Sequence, residues 1–254
     1  MTANRLLSRL EGGEVALGLA NTLPAAGIVE TMCGGWDFVW IDMQHGQIDC
    51  PAALAAVRAA DVIGIDTMIR SPGHDFGLLG PVADLAPSAV MVPMVDSADQ
   101  ARGIVTSLCF PPVGNRSYGG RRVLDKHGRH YYRDADLLVV AQIETPEALR
   151  HVDAIAGVEG VGALFFGPAD MRIRMGFDIN TAITDSEELM AAMAKSASAA
   201  KAAGKFAGTV ANTPGAMQAA VSMGYQLLVA GHDAALLQTG AGQTLEVMRK
   251  IVAS

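Results

Sequence analysis

Phe38-Val-Trp-Ile-Asp-Met-Gln-His-Gly46 is an apolar run that ends on polar groups at a glycine-marked turn. Three other runs end in the same manner. Asp66-Thr-Met-Ile-Arg70 closes on an arginine, Val139-Val-Ala-Gln-Ile-Glu144 on a carboxylate, and Ala163-Leu-Phe-Phe-Gly-Pro-Ala-Asp170 on another. Near-continuous apolar runs of this length suit strands buried on both faces, as in a parallel sheet. Their shared ending on His, Arg, Glu or Asp places polar groups together at one rim of that sheet.

Outward from these segments, strand-like runs alternate with Ala-rich helical stretches along the whole chain. Strands are expected at Val15–Ala20, Phe38–Met43, Asp66–Arg70, Ala89–Val95, Leu137–Ile143, Gly162–Phe166, Lys205–Val210 and Gln226–Ala230. Helices are expected at Pro51–Ala60, Ser97–Leu108, Pro146–Ala156, Asp185–Ala203 and Pro214–Met223. Thr145-Pro146, Thr213-Pro214 and Asp185-Ser-Glu-Glu188 carry helix-start chemistry, and Gly64, Gly157, Gly204 and Gly224 carry helix-end chemistry. Repeated βαβ units at this spacing predict a closed (β/α)8 TIM barrel, read here as a single domain over residues 1–254. A doubly wound open sheet is the rival, but Leu17-Gly-Leu-Ala-Asn-Thr-Leu-Pro24 lacks its Gly-x-Gly-x-x-Gly turn.

Composition narrows the function classes. Half of the 254 residues are hydrophobic, enough for a large core. A net charge of −7 argues against nucleic acid as a partner, which needs a basic surface to displace counterions. No uninterrupted apolar run reaches about 18 residues, so no membrane span is expected. The amphipathic, charged N-terminus does not read as a signal peptide. Cys33, Cys50 and Cys109 are odd in number and lack metal-site spacing, which suits a reduced, cytoplasmic protein. The stretch from Phe110 to Asp136 is long and polar and holds Arg116, Arg121, Arg122, Arg129 and Arg133. It reads either as a solvated or subunit-contacting loop or as a flap attracting an anionic substrate.

His45, Arg70, Glu144 and Asp170 are the candidate chemical groups. Each has a structural alternative: His45 as a hydrogen-bonded surface group, Arg70 as the ion-pair partner of Asp66 or Asp42, Glu144 as a helix cap. Together, two carboxylates without soft ligands suit a hard divalent cation, Mg2+, Mn2+ or Co2+, held by Glu144 and Asp170. Such a cation can act as a Lewis acid on a chelated 2-oxo acid. Beside it Arg70 could stabilise an enolate oxygen, and His45 could move a hydroxyl proton. The amides of Ala169 and Asp170, after Gly167-Pro168, could grip a carboxylate. His232, at the end of the last strand, could line the pocket or cap a helix. His127, His130 and His151 read as loop or surface residues, and Met190–Met193 as core or subunit contact.

The ordered set Ile41-Asp-Met-Gln-His-Gly46, Ile69-Arg70, Asp84-Leu-Ala-Pro-Ser-Ala-Val-Met-Val-Pro-Met-Val95, Pro111-Pro-Val-Gly-Asn-Arg-Ser117, Gln142-Ile-Glu144 and Phe166-Gly-Pro-Ala-Asp-Met171 resembles the HpcH/HpaI family of class II pyruvate aldolases. The resemblance implies a lyase that reversibly cleaves 4-hydroxy-2-oxo acids to pyruvate or hydroxypyruvate and an aldehyde. It implies a divalent cation on Glu144 and Asp170, Gln142 and Gly167 nearby, and Arg70 at the enolate. It also implies a His45–Asp84 pair as base. By its position just before a strand, Asp84 reads instead as a helix-end surface residue, and Asp42 is another possible partner for His45 or Arg70. The resemblance further implies a homo-hexamer, a trimer of dimers with C-terminal helices swapped between partners. The chain departs from the common pattern at Leu19, Gln44, Arg172 and Arg174, which leaves the aldehyde open.

Rival functions are a malyl- or citryl-CoA-type lyase, a Schiff-base aldolase, and a non-catalytic 2-oxo-acid-binding barrel. The Schiff-base route needs a desolvated lysine on a strand. Of the five lysines only Lys205 lies near a strand, at its N-terminal end.

Overall fold

The computed structural model describes residues 4–133 and 136–253. Eight parallel strands close into a barrel in chain order: β1 (Ala16–Asn21), β2 (Phe38–Asp42), β3 (Asp66–Arg70), β4 (Ala89–Val92), β5 (Leu138–Ile143), β6 (Ala163–Phe166), β7 (Phe206–Val210) and β8 (Leu227–His232). The fold is the expected (β/α)8 barrel. No helix among the described residues is long and apolar enough to cross a membrane.

Strand alternation explains both the core and the rim. Phe38, Trp40, Met68, Val140, Phe165 and Val229 fill the barrel interior, while Val39, Ile41, Ile69, Val139 and Leu164 face the surrounding helices. Burying one such large side chain contributes about 1.5–3 kcal/mol. Continuing each inward series by two residues leads from Trp40 to Asp42, from Met68 to Arg70 and from Val140 to Gln142. All three lie at the C-terminal rim, where water and ligands enter. The opposite end is closed by α1 (Arg5–Glu11), which pushes Leu6 and Leu10 into the interior. Asn4 anchors that plug: its Oδ1 accepts from the Leu7 amide, and its Nδ2 donates to the carbonyls of Ser88 and Asp136.

The remaining helices are α2 (Ala26–Met32), α3 (Cys50–Ile63), α4 (Phe76–Asp84), α5 (Ala98–Leu108), α6 (Arg121–His127), α7 (Pro146–Arg150), α8 (Val152–Ala156), α9 (Pro168–Arg174), α10 (Glu187–Ala202), α11 (Pro214–Ser222) and α12 (Asp233–Val252). The expected starts recur. Thr145 and Thr213 cap α7 and α11, each with proline in the first turn, and Ser186 rather than Asp185 caps α10. The stretch expected as one helix over Pro146–Ala156 is two, broken at His151. The Phe110–Asp136 connection contains α6 and a short turn at Tyr131–Arg133, and its residues 134–135 lie outside the described set.

Candidate active site

A cavity of about 640 Å³ opens at the C-terminal mouth of the barrel. His45, Arg70, Gln142, Glu144, Gly167, Ala169 and Asp170 all line it, so strand order brings together residues spread over 126 positions of sequence. The walls also include Thr22, Trp40 and Asp42, the 179–184 segment, Asn212, Thr213 and His232.

Arg70 is the most constrained of these groups. Its Nε and Nη2 donate to Asp42 Oδ1 and Oδ2 at 2.9 and 2.6 Å, and both side chains are buried. The guanidinium carbon lies 4.7 Å from the centre of the Trp40 ring. Neighbouring inward positions on β2 and β3 impose this pairing, because Asp42 and Arg70 stand side by side in register. Of the two expected partners, Asp42 therefore takes Arg70, while Asp66 accepts from Ser88 and pairs with Arg5. Asp42 Oδ1 also accepts from the amides of Gln44 and His45, tying the His45 turn to the same carboxylate. Burial alone would raise the Asp42 carboxyl, but the Arg70 guanidinium and these amides hold it below its ordinary value.

Glu144 follows β5, two strands round the barrel from Arg70 on β3, and stands one alternation beyond Gln142. Its Oε1 accepts from the Met94 amide at 2.9 Å and its Oε2 from Gln142 Nε2 at 2.7 Å. Burial pushes its pKa to about 7, with the nearby Asp170 charge adding to the rise and the Met94 amide opposing it. Gly167 is required here for space. A Cβ at that position would lie 2.6 Å from Glu144 Cβ and 2.8 Å from its Oε2. Gln142 Oε1 is buried without a hydrogen-bond partner. Asp170, in the first turn of α9, is half-exposed and 4.0 Å from Arg174 Nε. Two carboxylates and an unpartnered amide oxygen form an oxygen-rich corner that fits a hard cation better than a soft one.

Asp84 is not brought to His45 within the subunit. It ends α4, accepts from Arg116 Nη2 at 3.0 Å, and does not line the cavity. Its place at the end of α4 is the helix-end position expected from the sequence. The arginine-rich connection does not line the cavity either. Arg116 is buried against Asp84 and the Phe110 ring, Arg121 pairs with Asp125, and Arg122 with Asp61. Their charges are spent on the scaffold, which favours the structural reading of that loop over the flap.

Thr22, Asn212 and Thr213 were missed because they are neutral and follow strands without distinctive endings. Their signal was positional only: each lies just past the C-terminal end of a strand. His232 lines the cavity, in line with the pocket alternative for that residue.

Residues 23–239 match the family described as HpcH/HpaI aldolase/citrate lyase. The chain is 33% identical to a 4-hydroxy-2-oxovalerate aldolase of Novosphingobium aromaticivorans over 99% of its length and 97% of that protein. It is 30% identical to a hydroxypyruvate/pyruvate aldolase of Pseudomonas aeruginosa, covering 93% and 90%. Among solved structures, an HpcH/HpaI aldolase/citrate lyase family protein from Burkholderia cenocepacia J2315 superposes with a TM-score of 0.88 at 28% identity. That superposition covers 97% of this chain and 100% of the other. With this match across most of its length, the chain belongs to the HpcH/HpaI aldolase/citrate lyase family.

Proposed function

We propose that this carbon–carbon lyase is a divalent-cation-dependent aldolase that reversibly cleaves 4-hydroxy-2-oxo acids to pyruvate, or hydroxypyruvate, and an aldehyde. The observation that carries the reading is one cavity with an acidic corner at Glu144 and Asp170 and the Arg70 guanidinium held beside it. Relatives named as aldolases support the same reaction class.

No group of three His, Cys, Asp or Glu side chains able to hold a metal occurs among the described residues. The proposed holders are therefore Glu144 and Asp170, with the Gln142 amide oxygen beside them and other positions left to water and substrate. When bound, Mg2+, Mn2+ or Co2+ supplies Lewis acidity toward the oxygens of the 2-oxo acid. Gln142 and the Met94 amide hold Glu144 in place, and Gly167 keeps the space before it clear. Ala169 and Asp170 line the cavity in the first turn of α9, and their amides are the proposed grip for the substrate carboxylate.

Arg70 spends Nε and Nη2 on Asp42, leaving Nη1 without a described partner and free to meet the oxygen that becomes an enolate. His45 takes the C4 hydroxyl proton as the C3–C4 bond breaks. The bond's electron pair moves into the enolate, which then gains a proton at C3 to give the 2-oxo acid. Because Asp84 is engaged by Arg116, its carboxylate is not part of this arrangement within one subunit.

Chelation by EDTA should abolish cleavage, and Mn2+, Co2+ or Mg2+ should restore it. Cation affinity by calorimetry should weaken as pH falls through about 7, because protons then compete for Glu144. Cleavage that survives rigorous chelation would overturn the cation-dependent reading.

The proposal extends to a homo-hexamer in which α12 covers a partner subunit. Only Asp233 of α12 is buried, while Leu237, Leu245 and Met248 are about half exposed on one helical stripe. Light scattering should show the wild type as a hexamer and the double variant Leu245→Glu, Met248→Glu as smaller species. A variant that stays hexameric would remove α12 from the interface.

A further inference from the structure

The last strand contains an irregularity that decides which side chain it presents. Gly18 on β1 pairs with Val229, but Leu19 pairs with Gly231 and Ala20 with His232, so Ala230 is an extra residue on β8. Leu227 and Val229 face the barrel interior. Strict alternation would then turn Gly231 and Asp233 inward and His232 outward. The bulge reverses that phase. Gly231 now faces the outer layer, where a Cβ would meet Leu19 and Trp36, and His232 faces the cavity beside inward-pointing Ala20.

The same reversal sends Asp233 beneath the end of β1. Its carboxylate is fully buried and accepts from the amides of Thr22, Leu23 and Ala234, from Thr22 Oγ1 and from Asn21 Nδ2, at 2.7–3.1 Å. Its Oδ1 also lies 3.5 Å from His232 Nδ1. A buried carboxylate held by five donors is a rigid backing, and it stands directly behind a cavity-facing imidazole. In a ring of eight strands, β1 is opposite β5 and β2 opposite β6. The arc β8–β1–β2 therefore faces Glu144 and Asp170 across the mouth. If those carboxylates mark the 2-oxo-acid half, the aldehyde half borders His232, Thr22 and, from β7, Asn212 and Thr213. All four side chains carry hydrogen-bonding groups and none is a carboxylate. The Thr22 hydroxyl donates to Asp233 and the Thr213 hydroxyl accepts from the Ala216 amide, which leaves His232 and Asn212 as the groups not tied to the scaffold by a described hydrogen bond.

We propose that His232, presented by the β8 bulge and oriented by Asp233, determines specificity by hydrogen bonding to a hydroxyl on the aldehyde substrate. The substrate class is then a hydroxylated aldehyde rather than an alkyl one. His232 is about half exposed in the free enzyme, so the discrimination arises once the bound aldehyde covers it: the methyl isostere then leaves the imidazole without a partner and shut off from water. This inference rests on the aldolase reading above.

The test uses the cation-loaded enzyme and pyruvate with two isosteric acceptors, glycolaldehyde and propionaldehyde. The ratio of their kcat/KM values cancels any loss of folded enzyme, so a merely structural role does not move it. The wild type should favour glycolaldehyde by about tenfold or more, and His232→Leu should lower the ratio by about 10- to 100-fold. His232→Gln, which keeps a donor, should recover part of it. Asp233→Asn should lower the ratio in the wild type but not further in His232→Leu. An indifferent wild type, or a ratio unchanged in His232→Leu, overturns the assignment. Exchange of the pyruvate methyl protons in deuterated water reports on the 2-oxo-acid half alone. Absence of both exchange and aldol product in the wild type sinks the aldolase reading itself, an outcome distinct from exchange without discrimination between aldehydes.

Discussion

Arg70→Lys is expected to lower kcat for carbon–carbon cleavage by about 10²- to 10³-fold, the scale of losing one preorganised donor to a developing oxyanion. The guanidinium meets three demands at once. Two of its nitrogens bind Asp42, its central carbon lies over the Trp40 ring, and the residue lines the cavity with its third nitrogen not used by Asp42. An ammonium is a compact point charge without that planar fork, so it can satisfy Asp42 or reach the substrate oxygen but not both. Pyruvate methyl exchange should fall along with cleavage, because both pass through the enolate. Steady-state kinetics showing cleavage within a few-fold of wild type would remove Arg70 from the proposed chemistry.

Asp42→Asn should be the most destabilising of the conservative substitutions at the rim. Removing one partner of a buried ion pair leaves the other charge uncompensated, at a cost of about 3–5 kcal/mol. In a chain of this size that corresponds to a fall in melting temperature of about 10 °C. The Gln44 and His45 amides lose their acceptor charge in the same step, so the turn carrying His45 loosens as well. The sign of the pH dependence follows from the depressed Asp42 carboxyl. Its stabilisation is complete above the ordinary carboxylate value and is lost as pH falls through the lower folded value. Wild-type and Asp42→Asn melting curves should therefore lie far apart near neutrality and converge in acid. Curves separated by only a degree or two at pH 7 would show that the pair contributes little.

These two residues also show what could be read early and what could not. Arg70 was legible because alternation from Met68 carries it to the inward rim position, and Glu144 follows from Val140 by the same rule. Asp42 was visible as one of two partners for Arg70 and as a possible partner for His45. The choice depended on β2 lying next to β3 in register, which a single strand does not encode. Asp84 shows where a single subunit stops informing the reading. Family resemblance assigned it to His45, whereas in the folded subunit it lies at the end of α4 against Arg116. The Phe110–Asp136 arginines looked like a free positive patch, yet three of them meet acids far away in sequence or one helical turn on.

From sequence alone came the strand–helix rhythm, the closed barrel, and the set of polar side chains gathered at its mouth. Local periodicity and strand-end chemistry suffice for these, since every parallel strand obeys the same two-residue alternation. Tertiary structure alone decided which acid neutralises Arg70, that Gly167 must lack a side chain before Glu144, and that His232 rather than Asp233 faces the cavity. Each of those depends on one strand's register against its neighbour, and a single inserted residue is enough to reverse it.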